Sequence, residues 1–392
     1  MTRSVLISGA GIAGPSLAYW LGRHGDDVTV VERAPGPRTS GSAVDFRGDQ
    51  LALLTRMGVL DEIRARQTGM GDQVIVDAAG RRRAAYPAAI FSGEVEIDRA
   101  DLAEILHDHS APYAEYVFGD RITGMTQHAD GVDVTFALGA ARRYDLVVGA
   151  DGLHSGVRTL AFGDGFRHHL GYYAASFTVP NTFGLDHSGV IHNAPGRMVG
   201  VASARDTGRA IVTLMFAAPE RDHGRGDVDA QKSLLAEHFA DVGWRTPELL
   251  AALRDAEDLY FAPLSQIRLD RWSSGRVVLL GDAAWCAGPG GNGTGHAMLG
   301  AYTLAGELAT ADHETAFARY EKAMRPPVEK SQKFAAGAGE HLVPGTAGKI
   351  RRRDITYRLL SSRPMTGLFT WLATRTAKTG ELTDYPLAAV TP

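Results

Sequence analysis

Hydrophobic positions show two patterns along the start of the chain, short apolar runs and helical periodicity. Residues 4–8 and 28–31 form mainly apolar runs of the length of a buried strand. Residues 12–23 carry apolar side chains at helical spacing, which returns at 49–57 and 98–109. Because buried strands alternate with amphipathic helices, the pattern predicts an α/β architecture built on a parallel sheet.

The pattern changes between residues 166 and 217, where short β-rich segments alternate with turn residues. These segments are 176–179, 190–193, 198–202 and 210–216. Their spacing predicts an antiparallel sheet rather than further strand–helix–strand units. Helical patterns follow at 229–242 and 246–255, then a buried strand at 275–280 and helical sequence over 293–336.

The C-terminal region reads as a linker followed by one helix. Residues 337–348 are rich in glycine, which favours a flexible connection. Residues 354–379 have the composition of a single long helix, with Asp354 as N-cap and Gly380 as its stop. Pro364 is expected to kink this helix.

Composition narrows the classes of function. The 392 residues are 44% hydrophobic and 22% charged, as in an ordinary globular chain, and the net charge of −4 gives no reason to expect nucleic acid or an anionic membrane as partner. The single cysteine, Cys286, excludes an internal disulfide and a cysteine-based zinc site. The histidines lack ligand-type spacing, so no metal is expected. With no signal peptide and no apolar run of about 20 residues, a cytoplasmic protein is expected.

A glycine motif connects the first apolar run to the first helix. Gly9, Gly11 and Gly14 have the G-x-G-x-x-G spacing of a dinucleotide-binding turn. In such a turn the first glycine makes the bend, the second lets the backbone approach a pyrophosphate, and the third lets helix and strand pack closely. A glycine turn in some other strand–helix unit is the alternative, but the neighbouring elements all favour a nucleotide.

Residues on both sides of the motif support the same interpretation. Ile12 and Ala13 open the helix whose free N–H groups and positive dipole end face the phosphates. Glu32 follows the last glycine by 18 residues and ends the second strand, where a carboxylate accepts from ribose hydroxyls. Arg33, the next residue, is included in the predicted cofactor site.

Two further motifs indicate that the predicted dinucleotide is a flavin nucleotide. Residues 145–158 run DLVVGADGLHSGVR, and residues 281–289 run GDAAWCAGP before Gly293, Thr294 and a helix. With the opening glycines, they resemble the three signatures of the single-component (group A) FAD-dependent aromatic monooxygenases. The resemblance covers essentially the whole chain in the same order. In size and motifs it is closest to the tetracycline-inactivating members of that family, which also includes para-hydroxybenzoate hydroxylase.

The resemblance implies roles for residues in these motifs. Gly281 and Asp282 would end a buried strand where the family's aspartate accepts from the ribityl hydroxyls. After Pro289, backbone N–H groups would meet the O2–N1 edge of the flavin, and the residues concerned are Gly291, Gly293 and Thr294. Asp151 would lie in a turn near FAD and the path of NAD(P)H.

Three charged residues match the family one by one. Arg38 matches an arginine tied to NADPH, Asp45 an aspartate tied to FAD, and Arg99 an arginine that contacts FAD at a helix start. Each has a plainer alternative. Arg38 would then lie in a solvated loop, Asp45 in a surface turn, and Arg99 would be a helix-capping charge.

The implied fold is α/β, a Rossmann-like FAD domain with an inserted antiparallel-sheet substrate domain and a long C-terminal helix. The predicted boundaries are 1–72, 99–165 and 273–336 for the FAD domain, 73–98 and 166–272 for the substrate domain, and 337–392 for the linker and C-terminal helix. The inner face of the substrate sheet is expected to line the pocket. Its candidate residues are Phe177, His192, Met215, Phe216 and, from the third motif, Trp285.

The family chemistry implies that NAD(P)H reduces FAD and that O2 then forms a C4a-hydroperoxyflavin. This species transfers one oxygen to an aromatic, phenolic or polyketide-type small molecule, so no catalytic side chain is expected. Baeyer–Villiger insertion or epoxidation remains open. So does an FAD-dependent dehydrogenase or reductase that does not use O2, or a non-catalytic FAD- or drug-binding protein. A monomer and a homodimer both fit the sequence.

The chain departs from the family at several positions. Trp285 stands where many members have His or Tyr, and the stretch after Pro289 is one residue shorter than usual. Gly300 stands where others have an acidic residue followed by alanine. Cys286 could be read as a catalytic thiol, but without a basic neighbour in sequence a small packed residue is favoured.

Overall fold

The computed structural model describes residues 2–37, 43–86, 93–220, 226–290, 292–360 and 382–386. The strands are β1 (Ser4–Ser8), β2 (Asp27–Glu32), β3 (Val44–Phe46), β4 (Gln73–Val76), β5 (Arg82–Tyr86), β6 (Val95–Ile97), β7 (Ala114–Phe118), β8 (Ile122–His128), β9 (Gly131–Phe136), β10 (Arg142–Tyr144), β11 (Leu146–Gly149), β12 (Arg167–Pro180), β13 (Ser188–Ala194), β14 (Arg197–Ser203), β15 (Arg209–Ala217), β16 (Tyr260–Ile267), β17 (Ser273–Ser274) and β18 (Val277–Leu279). The α-helices are α1 (Ala13–Arg23), α2 (Asp49–Met57), α3 (Leu60–Ala65), α4 (Arg99–Ser110), α5 (Gly156–Phe162), α6 (Val228–Phe239), α7 (Thr246–Asp255), α8 (Asp282–Trp285), α9 (Gly293–Thr310), α10 (His313–Leu342) and α11 (Ala347–Leu360).

A six-stranded sheet with the order β17-β18-β11-β1-β2-β7 forms the first core. Strand β1 pairs in parallel with both β2 and β11, and only the short edge strand β17 is antiparallel to its neighbour β18. Helices α1 and α9 pack on each other beside this sheet. Because β1, β11 and β18 are almost wholly buried, their apolar runs lack the alternation of half-exposed strands, as expected for parallel strands.

A seven-stranded sheet with the order β16-β12-β15-β14-β13-β4-β5 forms the second unit. All its pairings are antiparallel except that of β13 with β4. The antiparallel sheet predicted around 166–217 is therefore present. It gains two strands from 73–86 and one from 260–267, while the predicted domain boundaries themselves stay a prediction.

The two faces of this sheet pack on different helices. One face carries Tyr173, Phe177 and Phe216, which cluster with residues of α6 and α7 such as Leu235 and Leu249. The opposite face carries an apolar cluster that also takes in the end of α10 and α11, whose members include Ile75, Met198, Met215, Val343 and Tyr357. The sheet is thus covered on both sides.

Helix ends in the first half of the chain match the sequence signals. Helix α2 has the predicted bounds, and Gly58 after it adopts the left-handed conformation with φ of 82°. Helices α1 and α4 lie within one residue of their predicted limits. Among the described helices, none is long and apolar enough to cross a membrane.

The C-terminal region differs from the prediction in two ways. The expected linker at 337–348 is wrong, because α10 continues to Leu342 and α11 begins at Ala347. Gly339 is a packing residue, since a Cβ there would lie 2.4 Å from Cε2 of Tyr172. Asp354 lies inside α11 and is not an N-cap. The rest of the predicted helix, with Pro364 and Gly380, lies outside the described residues.

These observations confirm the predicted fold class. The protein is α/β, with a Rossmann-like sheet, a mainly antiparallel second sheet and a long helix in the C-terminal part. The longest helix in the described part of the chain is α10, with 30 residues, and the segment predicted as a long helix is described only up to Leu360.

Candidate functional site

The glycine turn after β1 has the geometry that a phosphate-binding turn requires. Gly9 has φ of +109°, and a Cβ there would lie 2.6 Å from the carbonyl oxygen of Ala150. A Cβ on Gly14 would lie 1.9 Å from the carbonyl oxygen of Gly9, so α1 can begin directly over the turn only with glycine here. At Gly11 nothing lies within 4 Å of the Cβ position, which leaves this side open to a ligand.

Glu32 ties the end of β2 to this turn. Its Oε2 accepts the N–H of Ala10 at 2.9 Å, and its Oε1 accepts the N–H of Ala34 at 2.9 Å. Each carboxylate oxygen can accept more than one hydrogen bond, so Glu32 can hold the turn and still bind a hydroxyl. Arg33 beside it is exposed, while Ile12 and Ala13 are buried at the start of α1.

The end of β18 lies against the N-terminal parts of two helices. A Cβ on Gly281 would lie 3.1 Å from Cβ of Ala13 and 3.4 Å from Cβ of Ala297, so β18 ends between α1 and α9. The Cβ position of Gly293, the first residue of α9, lies 3.6 Å from Oδ1 of Asp282. The carboxylate of Asp282 therefore stands beside the start of α9, at the same edge of the sheet as the glycine turn.

Asp151 follows β11, the next strand of the sheet. Its Oδ2 accepts the N–H groups of Gly156 at 2.8 Å and Val157 at 3.2 Å. Burial raises its pKa in spite of these bonds. Its Oδ1 is buried and has no hydrogen-bond partner in the part of the chain that the structure describes. Arg158 donates to the carbonyl oxygens of Ala283 and Leu153 and so ties this turn to α8.

Arg99 and Cys286 border the same region. Arg99 is the first residue of α4, and its Nε is buried without an acceptor among the described residues. Burial and the Asp282 carboxylate hold the pKa of the Cys286 thiol far above its usual range, while Arg99 acts weakly in the opposite sense. The thiol donates to the carbonyl oxygen of Ser265 at 3.5 Å. Its burial and its contact are those of a neutral, packed side chain, as the sequence analysis favoured.

Of the remaining predicted cofactor residues, the structure describes some and leaves others outside the described ranges. Asp45 in β3 forms an ion pair of 2.7 Å with Arg47, and each side chain is about one third exposed. Pro289 and Thr294 are half-buried around the start of α9. Arg38 and Gly291 lie outside the described residues, so their predicted roles stay predictions.

Two orphan polar atoms test whether a cofactor fits here. A buried donor or acceptor without a partner costs about 1–3 kcal/mol, and a bound ligand is one way to supply the missing partner. Arg99 Nε and Asp151 Oδ1 are both of this kind within the described ranges. Together with the open side of Gly11 and the free carboxylate lone pairs of Glu32 and Asp282, they fit a dinucleotide-type cofactor.

The predicted pocket residues do not come together. Phe177, Phe216 and His192 lie on the sheet face that α6 and α7 cover, where His192 contacts the ring of Trp244. Met215 lies on the opposite face, with Met198 and Tyr357. The expectation of one shared inner face is wrong, because Met215 and Phe216 are neighbours in β15 and neighbouring strand residues face opposite sides of a sheet.

Trp285 belongs to the core of the first unit. Its ring packs on Trp272, with ring centroids 4.5 Å apart, and on Tyr320. It borders a cavity of about 310 Å³ that Arg268 and Arg325 also line. This cavity does not include the glycine turn or Asp282.

Sequence reasoning missed residues that the structure places at the site. Leu170 of β12 approaches the loop before α9, since its Cδ1 lies 2.9 Å from the Cβ position of Gly288. Gln50 in the first turn of α2 contacts Gly295 in the first turn of α9. Glycine inside a helix lowers helix stability, so Gly295 within a helical pattern indicates that another residue packs closely there. The sequence alone does not show that this residue is Gln50.

Comparison with known proteins agrees with this geometry. A family profile described as FAD binding domain matches residues 2–332. An uncharacterized protein of Mycobacterium tuberculosis is 44% identical over 341 residues, which cover 84% of this chain and 92% of the relative. A flavin-dependent monooxygenase of Legionella longbeachae is 35% identical over 345 residues, which cover 86% of this chain and 88% of the relative.

A solved structure of similar shape adds to these relatives. The crystal structure of the tetracycline destructase Tet(55) is similar with a TM-score of 0.85 at 35% identity, covering 98% of this chain and 99% of the other. FAD is the cofactor of the matched family, and NAD(P)H is its typical cosubstrate. The chain therefore belongs to the FAD-binding family of group A flavin-dependent monooxygenases, and it is an oxidoreductase.

Proposed function

We propose that this protein hydroxylates an aromatic, phenolic or polyketide-type small molecule with FAD, NAD(P)H and O2. The observation that carries the proposal is the meeting of the glycine turn, Asp282 and the start of α9 at one edge of the six-stranded sheet. The buried Arg99 Nε and Asp151 Oδ1, both without partners in the described part of the chain, support a bound cofactor there. Relatives named as flavin-dependent monooxygenases support the reaction class.

Each part of the cofactor has residues that would hold it. The N–H groups at the start of α1 and the open backbone at Gly11 suit the pyrophosphate. Glu32 suits the ribose hydroxyls, and Asp282 suits the ribityl chain. Bound FAD would supply electron transfer from the reductant and activation of O2 for insertion into the substrate.

The start of α9 would provide electrostatic stabilisation of the flavin ring. This helix is 18 residues long, and its N-cap residue Asn292 makes no side-chain cap. The N–H groups of Gly293 and Thr294 in the first turn therefore remain available as donors. Together with the positive end of the helix dipole, they would stabilise negative charge on the reduced ring.

The proposed substrate side is the part of the sheet face opposite α6 and α7 that lies near Leu170 and the loop before α9. Leu170 approaches the loop before α9, while Tyr172 and Met215 belong to the apolar cluster of this face. Such a lining excludes water and suits a flat, mainly apolar molecule. Tet(55) is named as a tetracycline destructase, so tetracyclines join phenols in the first panel of substrates to test.

Arg38 is the proposed ligand for a phosphate of the reductant. A guanidinium matches phosphate geometry with two parallel hydrogen bonds. The basis is the resemblance of this segment to an NADPH-linked arginine of the family. Arg38→Ala is expected to raise the KM for the reductant and to leave FAD in place.

Labelled oxygen tests the proposed reaction. Purified protein is incubated with NADPH or NADH, isotopically labelled O2 and a panel of phenols and tetracyclines. The masses of the products are then measured by mass spectrometry. One labelled oxygen atom in the product supports the monooxygenase. Unlabelled product that also forms without O2, with another electron acceptor, would mean a dehydrogenase. Tight FAD and drug binding without reductant oxidation would mean a binding protein.

A further inference from the structure

Gly295 stands where a helix gains nothing from glycine. It lies in the first turn of α9, and its backbone is not in the left-handed region that glycine favours. Glycine is a poorer helix former than alanine because it has more conformational freedom to lose. The reason for glycine at this position must therefore lie in the space that a side chain would take.

The side chain of Gln50 occupies that space. A Cβ at position 295 would lie 2.1 Å from Nε2, 2.3 Å from Cδ and 2.7 Å from Oε1 of Gln50. The carboxamide of Gln50 therefore packs flat against the backbone of α9. The three heavy atoms nearest to this Cβ position all belong to Gln50.

The orientation of the carboxamide is set by α2. Oε1 of Gln50 accepts the N–H of Arg47 at 3.1 Å, which leaves the Nε2 group to face elsewhere. Within the described residues Nε2 has no acceptor, although the side chain is half-buried. As an amide nitrogen it carries two N–H donors.

The contact lies beside the donors that the proposed function assigns to the flavin ring. Gly293, two residues before Gly295, is next to Asp282. Helix α9 also touches β3 and α2 on this side, so Gln50 and the first turn of α9 form one surface. A neutral donor at this position adds to the N–H groups of the helix without adding charge.

We propose that Gln50 contacts the flavin, donating from Nε2 to a carbonyl oxygen of the ring, and that position 295 is glycine so that Gln50 can reach it. The inference rests on the proposed function for the presence of FAD. A donor at a ring carbonyl stabilises the electron-rich reduced ring more than the oxidised ring. Gln50 therefore strengthens FAD binding and makes the reduction potential less negative.

The test measures FAD affinity and reduction potential and does not depend on turnover. Apoprotein is titrated with FAD while its fluorescence is followed, and the potential is measured against a redox dye. Gln50→Leu is expected to weaken binding of oxidised FAD about three- to tenfold, the effect of one neutral hydrogen bond, and to make the potential more negative. Gln50→Glu is expected to lower the potential further, because a carboxylate repels the reduced ring.

A double-mutant cycle tests the role of Gly295. Gly295→Ala displaces the carboxamide and is expected to reproduce the loss of affinity seen in Gln50→Ala. In the Gln50→Ala background, Gly295→Ala is expected to have no further effect on affinity, since the contact is already gone. Gly337→Ala is the matched control, because this helical glycine has open space at its Cβ position.

The outcomes separate this inference from the proposed function. If the wild type binds FAD and Gln50→Leu binds it equally well at an unchanged potential, the inference is wrong and the proposed function stands. Additive effects in the cycle would also overturn the inference. A wild type that binds no FAD would overturn both. Melting temperatures of all variants, measured by circular dichroism, identify any variant whose loss of FAD comes from unfolding.

Discussion

The ring of Trp285 lies against the backbone of Gly300 in α9. A Cβ at position 300 would lie 3.0 Å from Cη2 and 3.3 Å from Cζ2 of Trp285, and 3.1 Å from Cδ1 of Leu280. By the resemblance drawn from the sequence, both positions are departures from the family, with His or Tyr expected at 285 and an acidic residue at 300. The two departures meet in space, so the larger ring at 285 is accommodated by the missing side chain at 300.

This pairing makes Gly300→Ala destabilising, although alanine is the better helix former. The added methyl group would crowd a ring that is 1% exposed, and overpacking of this kind costs about 1–3 kcal/mol. Urea unfolding of the wild type and the variant measures the change. In the Trp285→His background the same substitution is expected to cost less. Equal costs in the two backgrounds would refute the pairing.

Glu32→Ala is expected to weaken FAD binding by about 1–3 kcal/mol, because a charged hydrogen bond is lost. The substitution also leaves the N–H groups of Ala10 and Ala34 without their acceptor, so the turn itself loosens. Fluorescence titration of the apoprotein gives the dissociation constant. Glu257→Ala, at an exposed position, is the control. Flavin that survives dialysis equally well in Glu32→Ala would exclude the ribose role.

Asp282→Ala is expected to give a folded protein with little bound flavin. The carboxylate lies beside Gly293 at the start of α9, so its loss removes an acceptor from the cofactor site without removing a helix. The ratio of flavin to protein absorbance after purification measures the effect. Asp282→Asn keeps one acceptor oxygen and is expected to retain more flavin. A fully flavinated Asp282→Ala protein would remove this residue from the site.

Much of the unit built on the six-stranded sheet could be predicted from the sequence, because the residues that determine its turns and helix ends lie close together in the chain. The bounds of α2 follow from Gly58, and the glycine turn follows from the spacing of Gly9, Gly11 and Gly14. The pocket could not be read in the same way. Phe177 and Met215 are both buried apolar strand residues, and only tertiary packing places them on opposite faces.

The glycine-rich composition of residues 337–348 led to the wrong prediction of a linker, because tertiary packing is again not visible in the sequence. Glycine favours flexible loops on average, but it also allows close approach of another side chain. The contact between Gly339 and Tyr172 joins positions far apart in the chain, so no local pattern reveals it. The same holds for Gln50 and Gly295.

The Cys286 thiol makes stability depend on pH on the alkaline side. Its pKa is raised in the folded protein by burial and by Asp282, while the unfolded thiol has a pKa of about 8.5. Below that pH the thiol is protonated in both states and its contribution is complete. Above it the unfolded state loses the proton first, so the free energy of unfolding falls by about 1.4 kcal/mol per pH unit.

Comparison with Cys286→Ala isolates this effect. The variant is expected to lose less stability than the wild type between about pH 8.5 and pH 10, as measured by urea unfolding at each pH. The folded wild type is also expected to resist thiol reagents, since the neutral thiol donates to Ser265 in the interior. Parallel pH curves for the two proteins would mean that the thiol titrates normally.

Gly337 and Gly339 offer a matched pair, two residues apart on α10. Nothing lies within 4 Å of the Cβ position at 337, whereas at 339 the ring of Tyr172 is in the way. Gly337→Ala is therefore expected to raise stability by about 0.4–1 kcal/mol, because alanine loses less entropy on folding. Gly339→Ala is expected to lower it by about 1–3 kcal/mol through overpacking. Urea unfolding of both variants measures the contrast. Stability changes of opposite sign in the two variants would support the packed helix. Equal, small changes would instead support the flexible linker that the glycine content predicted.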